Sequence, residues 1–230
     1  MVAGVAPESL AVLPYDAFQE NANLPPTYQR AQGSGRSAQF MVNLGRTERM
    51  TVANTVAHEA YPGHHLQRIA EIASPPAHQV MRGLSVSGFV EGWGIYSESL
   101  GDEMGLYASP LDRAGYLVHL LDVTMGMYLD AGFHTKGWSR QMIIDSMIVI
   151  GGRPPAMAAA YADRHAATPG QLATYYVGYR AIQAARESAE RELGSRFRSP
   201  EFHAMVLRDG PIRLASMRER VERWVHEQVR

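Results

Sequence analysis

The sequence predicts a mostly α-helical protein, with a multi-helix domain behind an irregular N-terminal arm. Three observations carry this prediction. Apolar residues recur at three- and four-residue steps from Thr47 onward, the period of a helix with one buried face. Paired runs of alternating apolar and polar residues, the mark of half-buried strands, do not occur. Prolines and glycines divide the chain into helix-length segments, and no repeat or linker splits it further.

Residues 1–46 form the irregular arm. Pro14, Pro25, Pro26, Gly33, Gly35 and Gly45 mark it as loop, with one short extended piece around Phe40 to Asn43. The helical domain covers residues 47–230. Met50, Ala53, Asn54 and Ala57 lead a first helix toward Tyr61; Pro62-Gly63 interrupts it, and it resumes from His64 to Ile72 before stopping at Pro75-Pro76. A second helix is predicted over Val80 to Leu106, where Val86, Phe89, Val90, Trp93, Tyr96, Leu100 and Met104 follow at helical steps. Pro110 opens a third, with Leu117, Leu120, Leu121, Met125 and Tyr128 on its apolar stripe, and Gly132 and Gly137 bracket the turn after it. Further helices are predicted over Trp138 to Ile150 and over 154–166, 169–194, 199–208 and 211–228. Ser139, Thr168, Ser199 and Asp209 are expected N-caps, and Pro110, Pro169, Pro200 and Pro211 sit where a first-turn proline is tolerated.

Composition excludes several classes of function. The 230 residues are 46% hydrophobic and 20% charged, which is ordinary for a globular chain and unlike a disordered one. The 22 basic and 23 acidic side chains nearly cancel, so nucleic acid is not an expected partner. No apolar run approaches the roughly 18 residues of a spanning helix, so no integral membrane segment is expected. Cysteine is absent, which excludes disulfide scaffolds, cysteine nucleophiles, iron–sulfur clusters and thiolate zinc sites. The start lacks the pattern of a signal peptide. A cytoplasmic location is expected if Met1 is the native start, and export if the chain comes from a longer precursor.

Three of the nine histidines fall in the run His58-Glu59-Ala60-Tyr61-Pro62-Gly63-His64-His65. A His-Glu pair on a helix resembles the start of the zinc-peptidase signature, in which histidines at i and i+4 bind the metal and the glutamate is the base. Here the i+4 position is Pro62. On an unbroken helix His65 would lie about 10.5 Å along the axis from His58, and His64 about 9 Å along and roughly 120° round. Neither could share one ion bound at about 2.0–2.1 Å. Pro62, however, lacks a backbone donor and clashes with the carbonyl of His58, while Gly63 permits unusual dihedrals. A broken or bulged helix is therefore expected, turning His64 toward the ion held by His58. Glu91 is the candidate third ligand, because an acid among Phe89, Val90, Trp93 and Ile95 is costly to bury without a partner such as a metal. Glu98, two turns along the same face, is expected to hold a histidine ligand in place. His65 is expected to bond in the core or orient a ligand, and Met125, Met127, Met142 and Met147 to fill the core.

The runs HEAYPGHHLQ at 58–67 and FVEGWGIYSESLGDEMGLY at 89–107 resemble a large bacterial family of unknown-function domains among the gluzincin-like zinc metallopeptidases. The resemblance continues through PPTYQRAQGSGRSAQFMVNL at 25–44, DAGFHTKGWS at 130–139, PGQLATYYVG at 169–178 and FHAMVLRDG at 202–210. It implies Zn2+ held by His58, His64 and Glu91, with Glu59 as general base; the choice of His64 over His65 rests on the two-residue extension of the signature. The implied activity is zinc-dependent hydrolysis of peptide or other amide bonds. Tyr175, His134 and Tyr96 are candidate donors to the oxyanion, Tyr175 having the best motif match. The alternatives are a small-molecule amide or lactam hydrolase and a non-catalytic zinc-binding helical domain. Members of the family carry a long helical region ahead of this motif, so the chain is expected to be a compact form or the catalytic half of a longer architecture.

Overall fold

The computed structural model describes residues 2–4, 8–21, 25–29, 38–45, 48–74 and 85–230. Helices dominate, and the helical domain is as expected. The arm is not irregular throughout. β1 (Ala11–Pro14) leads into a short helix, α1 (Ala17–Asn21), and β2 (Thr27–Gln29) and β3 (Gln39–Val42) complete a three-stranded sheet. Its order is β1-β3-β2, with β1 parallel and β2 antiparallel to β3. Phe40 is the register point, opposite Val12 on one side and Tyr28 on the other. Only β3 coincides with the extended piece expected from sequence. The other two strands have four and three residues, too few to display an alternation.

A 3-10 turn at Arg49–Thr51 leads into α2 (Val52–Glu59), and α3 (His64–Ala73) follows after a break. The break falls at the expected place and contains a cis Tyr61–Pro62 bond. Gly63 is required there, since a Cβ on it would lie 1.8 Å from the His58 carbonyl oxygen. The next helix, α4 (Ser87–Ser99), ends about two turns before Leu106. Tyr107 explains the early stop: its ring lies against Gly101, and its hydroxyl donates to the Glu98 carbonyl at 2.6 Å. The predicted stop at Pro75-Pro76 and start at Val80 lie outside the described residues.

α5 (Pro110–Lys136) runs straight through Gly132, where a turn was expected. Trp138 packs so close to Gly132 that an added Cβ would meet its ring at 2.1 Å, and the helix ends instead at Gly137 in the left-handed region. Ser109 and Asp112 form a reciprocal capping box at its start. Its buried face matches the predicted stripe only at Met125. Leu117, Leu121 and Tyr128 are exposed, while Tyr116, Val123, Met125 and Leu129 are buried. The smaller face wins because Gly115 and Gly126 let the helix approach its neighbours closely; a Cβ on Gly115 would meet the Met50 carbonyl oxygen at 1.7 Å.

Five helices remain: α6 (Arg140–Val149), α7 (Pro155–Ala167), α8 (Gln171–Leu193), α9 (Ser199–Leu207) and α10 (Leu214–Val229). Of the expected N-caps, Ser139 acts as one, accepting the Met142 amide at 3.2 Å. Thr168 instead closes α7, Ser199 lies within the first turn of α9, and Asp209 sits in the following loop with φ 64°. Phe89, Trp93, Ile182, Phe202, Met217 and Trp224 form the core shared by α4, α8, α9 and α10. Met125, Leu129, Ile143 and Met147 form a second apolar layer with Ala158 and Ala162 of α7; Met142, by contrast, is exposed.

Helices α4 and α8 touch backbone to backbone. A Cβ on Gly92 would lie 2.5 Å from the Gly178 Cα, and one on Gly178 would lie 1.8 Å from the Gly88 carbonyl oxygen. Alanine has the better helix propensity by about 1 kcal/mol. Forcing two helix backbones apart costs about 1–3 kcal/mol or more. Gly178→Ala should therefore lower the unfolding free energy in urea, and a variant as stable as the parent would contradict this packing.

Candidate metal centre

Three side chains from three helices converge. His58 comes from the last turn of α2, His64 from the first residue of α3, and Glu91 from the second turn of α4. The Glu91 Oε2 lies 3.7 Å from the Nε2 of His58 and 3.7 Å from the Nε2 of His64, and the donor atoms of the triad all fall within 4.8 Å of one another. Ligand atoms about 2.1 Å from a tetrahedral zinc are about 3.4 Å apart, so the triad can hold a metal ion with little adjustment. The break between α2 and α3 is what brings the histidines together. It is held from α4: the Trp93 indole donates to the carbonyl oxygens of Pro62 and Gly63 at 3.0 and 3.3 Å, and the Ser97 hydroxyl donates to that of Pro62.

The orientation of each imidazole is set from behind. The Nδ1 of His58 donates to the Glu98 Oε1 at 2.7 Å, and that of His64 to the Gln67 Oε1 at 3.2 Å. In the neutral form of each ring this leaves Nε2 with a lone pair toward Glu91, the arrangement metal-ligating histidines require. Gly94 makes room for His58, since a Cβ there would lie 2.5 Å from its ring. Glu98 is 1% exposed and also engages the Nδ1 of His119 at 2.8 Å and the amide of Asn54 at 3.2 Å. Burial alone would raise the pKa of Glu98, but His119 and His58 pull it down to about 2. Burial likewise works against a charge on Glu91, yet His58 and His64 hold it well below the usual carboxylate range. Burial would lower the pKa of His58; attraction to Glu91 and Glu98 outweighs this and raises it well above the ordinary imidazole value.

Glu59 and Tyr175 line the same cleft of about 1140 Å³ as the triad. The Oε2 of Glu59 accepts the Tyr28 amide of strand β2 at 2.8 Å, and its Oε1 has no partner among the described residues. The Tyr175 hydroxyl accepts from Arg164 Nη2 and from Gln171 Nε2, each at 3.2 Å, which leaves its own proton for a group in the cleft. Two other expected donors are elsewhere. His134 donates through Nε2 to the His165 carbonyl at 2.9 Å beside Asp130, away from the residues lining the cleft. Tyr96 is fully buried against His203, with its hydroxyl 2.9 Å from the ring Nε2. Tyr96 lies on a helix expected from the sequence but faces the core, and His134 lies on the last turn of α5, where a turn was expected, and faces α7. His65 is buried as expected, with its nitrogens on the Glu8 carbonyl and the Tyr28 hydroxyl. His119 was missed, because nothing in the α5 pattern links it to a carboxylate one helix away.

Divalent zinc titrated into the protein should bind once, and the stoichiometry should survive His65→Ala but not His64→Ala; the reverse pattern would overturn the ligand set. Binding requires neutral imidazole, so zinc must displace the proton that the raised pKa keeps on His58. Affinity should accordingly be weaker below that pKa and rise as the pH climbs through it. Calorimetry at pH 7 in two buffers of different ionisation enthalpy should register a release of about one proton; none would mean that His58 is already neutral.

Two solved structures share this fold. One, from Colwellia psychrerythraea, is described as a "putative lipoprotein"; it is 26% identical, with a TM-score of 0.89 over 98% of this chain. The other, so described from Shewanella oneidensis and of unknown function, is 22% identical with a TM-score of 0.79 over 94% of the chain. The chain spans 40% and 41% of the lengths of these two proteins. Among curated proteins, none matches it. A family model described as "Bacterial protein of unknown function (DUF885)" matches residues 3–221, and with nearly the whole chain covered the protein belongs to that family.

Proposed function

We propose that this is a zinc-dependent hydrolase of peptide or other amide bonds, with the metal on His58, His64 and Glu91. The observation that carries the reading is a second carboxylate, Glu59, held separately from the Glu91 of the triad in the same cleft. A zinc ion in such a site supplies Lewis-acid polarisation of the scissile carbonyl and lowers the pKa of water. Glu59 follows His58 directly, so its side chain points about 100° round α2 and serves the reaction without ligating. With Oε2 fixed on the Tyr28 amide, Oε1 takes a proton from the attacking water and passes it to the leaving nitrogen. The Tyr175 hydroxyl donates to the carbonyl oxygen as negative charge grows on it, its position fixed by Arg164 and Gln171.

A purely structural metal site has no use for Glu59, which favours catalysis over a metal-bound scaffold. The cleft of about 1140 Å³ exceeds the roughly 300–1,000 Å³ of small-ligand pockets, which favours a peptide segment over a small amide or lactam.

Glu59→Gln should reduce turnover of a cleaved peptide by at least about 10²-fold while zinc content stays unchanged. Tyr175→Phe should lower kcat more than it raises KM, since the hydroxyl acts as charge develops. Near-normal turnover by zinc-loaded Glu59→Gln would sink the mechanism, and a Tyr175→Phe effect confined to the melting temperature would make the tyrosine structural.

A further inference from the structure

We infer that the cleft recognises a substrate carboxylate, and that Arg164 is its anchor. The substrates are then peptides cut close to a free C-terminus. This rests on the hydrolase reading above and narrows it.

The inference starts from the charges on the cleft wall. Arg68 is engaged by Glu71, and Arg153 makes a two-pronged contact with Asp122. Arg164 also lines the cleft, yet it has no carboxylate partner among the described residues. Its guanidinium is nevertheless held in place. One nitrogen, Nη2, donates to the Gln171 side-chain Oε1 at 2.9 Å and to the Tyr175 hydroxyl at 3.2 Å, and the guanidinium carbon lies 5.9 Å from the centre of the Tyr175 ring. These contacts are all to neutral groups. They tether the exposed cation through Nη2, and among the described residues no carboxylate pairs its charge and no group accepts from Nη1 or Nε. A fixed, unmatched guanidinium beside an aromatic ring is suited to a carboxylate, the anion its donors match best.

The cation and the triad line the same cleft. Tyr175 is the residue after Thr174, whose hydroxyl lies 2.8 Å from that of Ser87, and Ser87 is one helical turn before Glu91. Arg164 lies against the Tyr175 ring in the same cleft as the triad. An extended peptide advances about 3.3 Å per residue, so a peptide lying along that cleft can present its end to the guanidinium. The main chain supplies a carboxylate at one place only, its C-terminus; an acidic side chain near the cut is the other source of the same group.

The test uses zinc-loaded Glu59→Gln protein, so that binding is read without cleavage. Acetyl-trialanine as the free acid, the same peptide as the C-terminal amide, and acetyl-Ala-Ala-Asp amide are titrated calorimetrically. The acid should bind at least about 10-fold more tightly than the plain amide, as expected for a charge-assisted hydrogen bond. Adding Arg164→Gln should remove that ratio, and Arg164→Lys should keep part of it. A residue that merely positions Tyr175 would weaken acid and amide alike and leave the ratio intact, which overturns the inference. Equal affinity for acid and amide in the parent, including no measurable binding of either, overturns it too. If the aspartate amide matches the free acid while the ratio still depends on Arg164, carboxylate recognition stands and the C-terminal assignment falls. Failure of the hydrolase reading is separate: acid-selective binding with no cleavage of any peptide by the wild type would remove the hydrolase and leave the carboxylate site.

Discussion

The buried Glu98 carboxylate is the point on which the arrangement around the candidate metal centre turns. It sits on α4 and bonds to His58 and Asn54 of α2 and to His119 of α5, so one side chain ties three helices together. Leaving such a charge buried and unpaired costs several kcal/mol. Moving α2 or α5 away therefore takes a partner from a buried charge. The same bond to His58 sets the tautomer that turns Nε2 toward Glu91. The bond to His58 thus serves both the packing of the helices and the orientation of the ring.

Close approach is the second requirement, and glycine meets it where a side chain would intrude. Gly94 leaves space for the His58 ring, Gly63 lets the chain turn past the His58 carbonyl, and Gly92 and Gly178 bring α8 against α4. The last contact matters for the cleft because it sets Tyr175 beside the helix that carries Glu91. A cleft wall built on backbone contact has little freedom to spread, so the hydroxyl and the carboxylate keep a fixed relation.

Much of this was legible in the sequence, for definable reasons. The failure of a regular helix to bring His58 and His64 together is arithmetic, and Pro62-Gly63 is the local means of breaking it; the break between α2 and α3 follows. An acid inside an apolar run likewise announces a partner, and Glu91 and Glu98 both have one. The misreadings have a common cause. The apolar stripe on α5 was taken as its buried face, but backbone proximity at Gly115 and Gly126 selected another. His119, His134 and Tyr96 depend on which neighbour each helix faces, and that is set by packing at long range rather than by spacing along the chain. The small sheet was hidden because its strands are shorter than the windows in which alternation can be seen.

That sheet is nonetheless connected to the candidate site. Its edge strand β2 spends the Tyr28 amide on Glu59 rather than on β3, since the pairing opposite Phe40 leaves that amide facing outward. The Tyr28 hydroxyl meets His65 in α3, and Tyr61, in the break between α2 and α3, exchanges hydrogen bonds of 2.8 Å with the amide and carbonyl of Glu8. The arm is consequently fastened at the break that aligns the histidines and again at the carboxylate beside them. Fixing one oxygen of Glu59 by a backbone amide costs less side-chain entropy than fixing it by another side chain, because the strand is already ordered by its partner. An edge strand, whose unpaired donors are ordinarily a liability, becomes in this position the means of aiming a carboxylate.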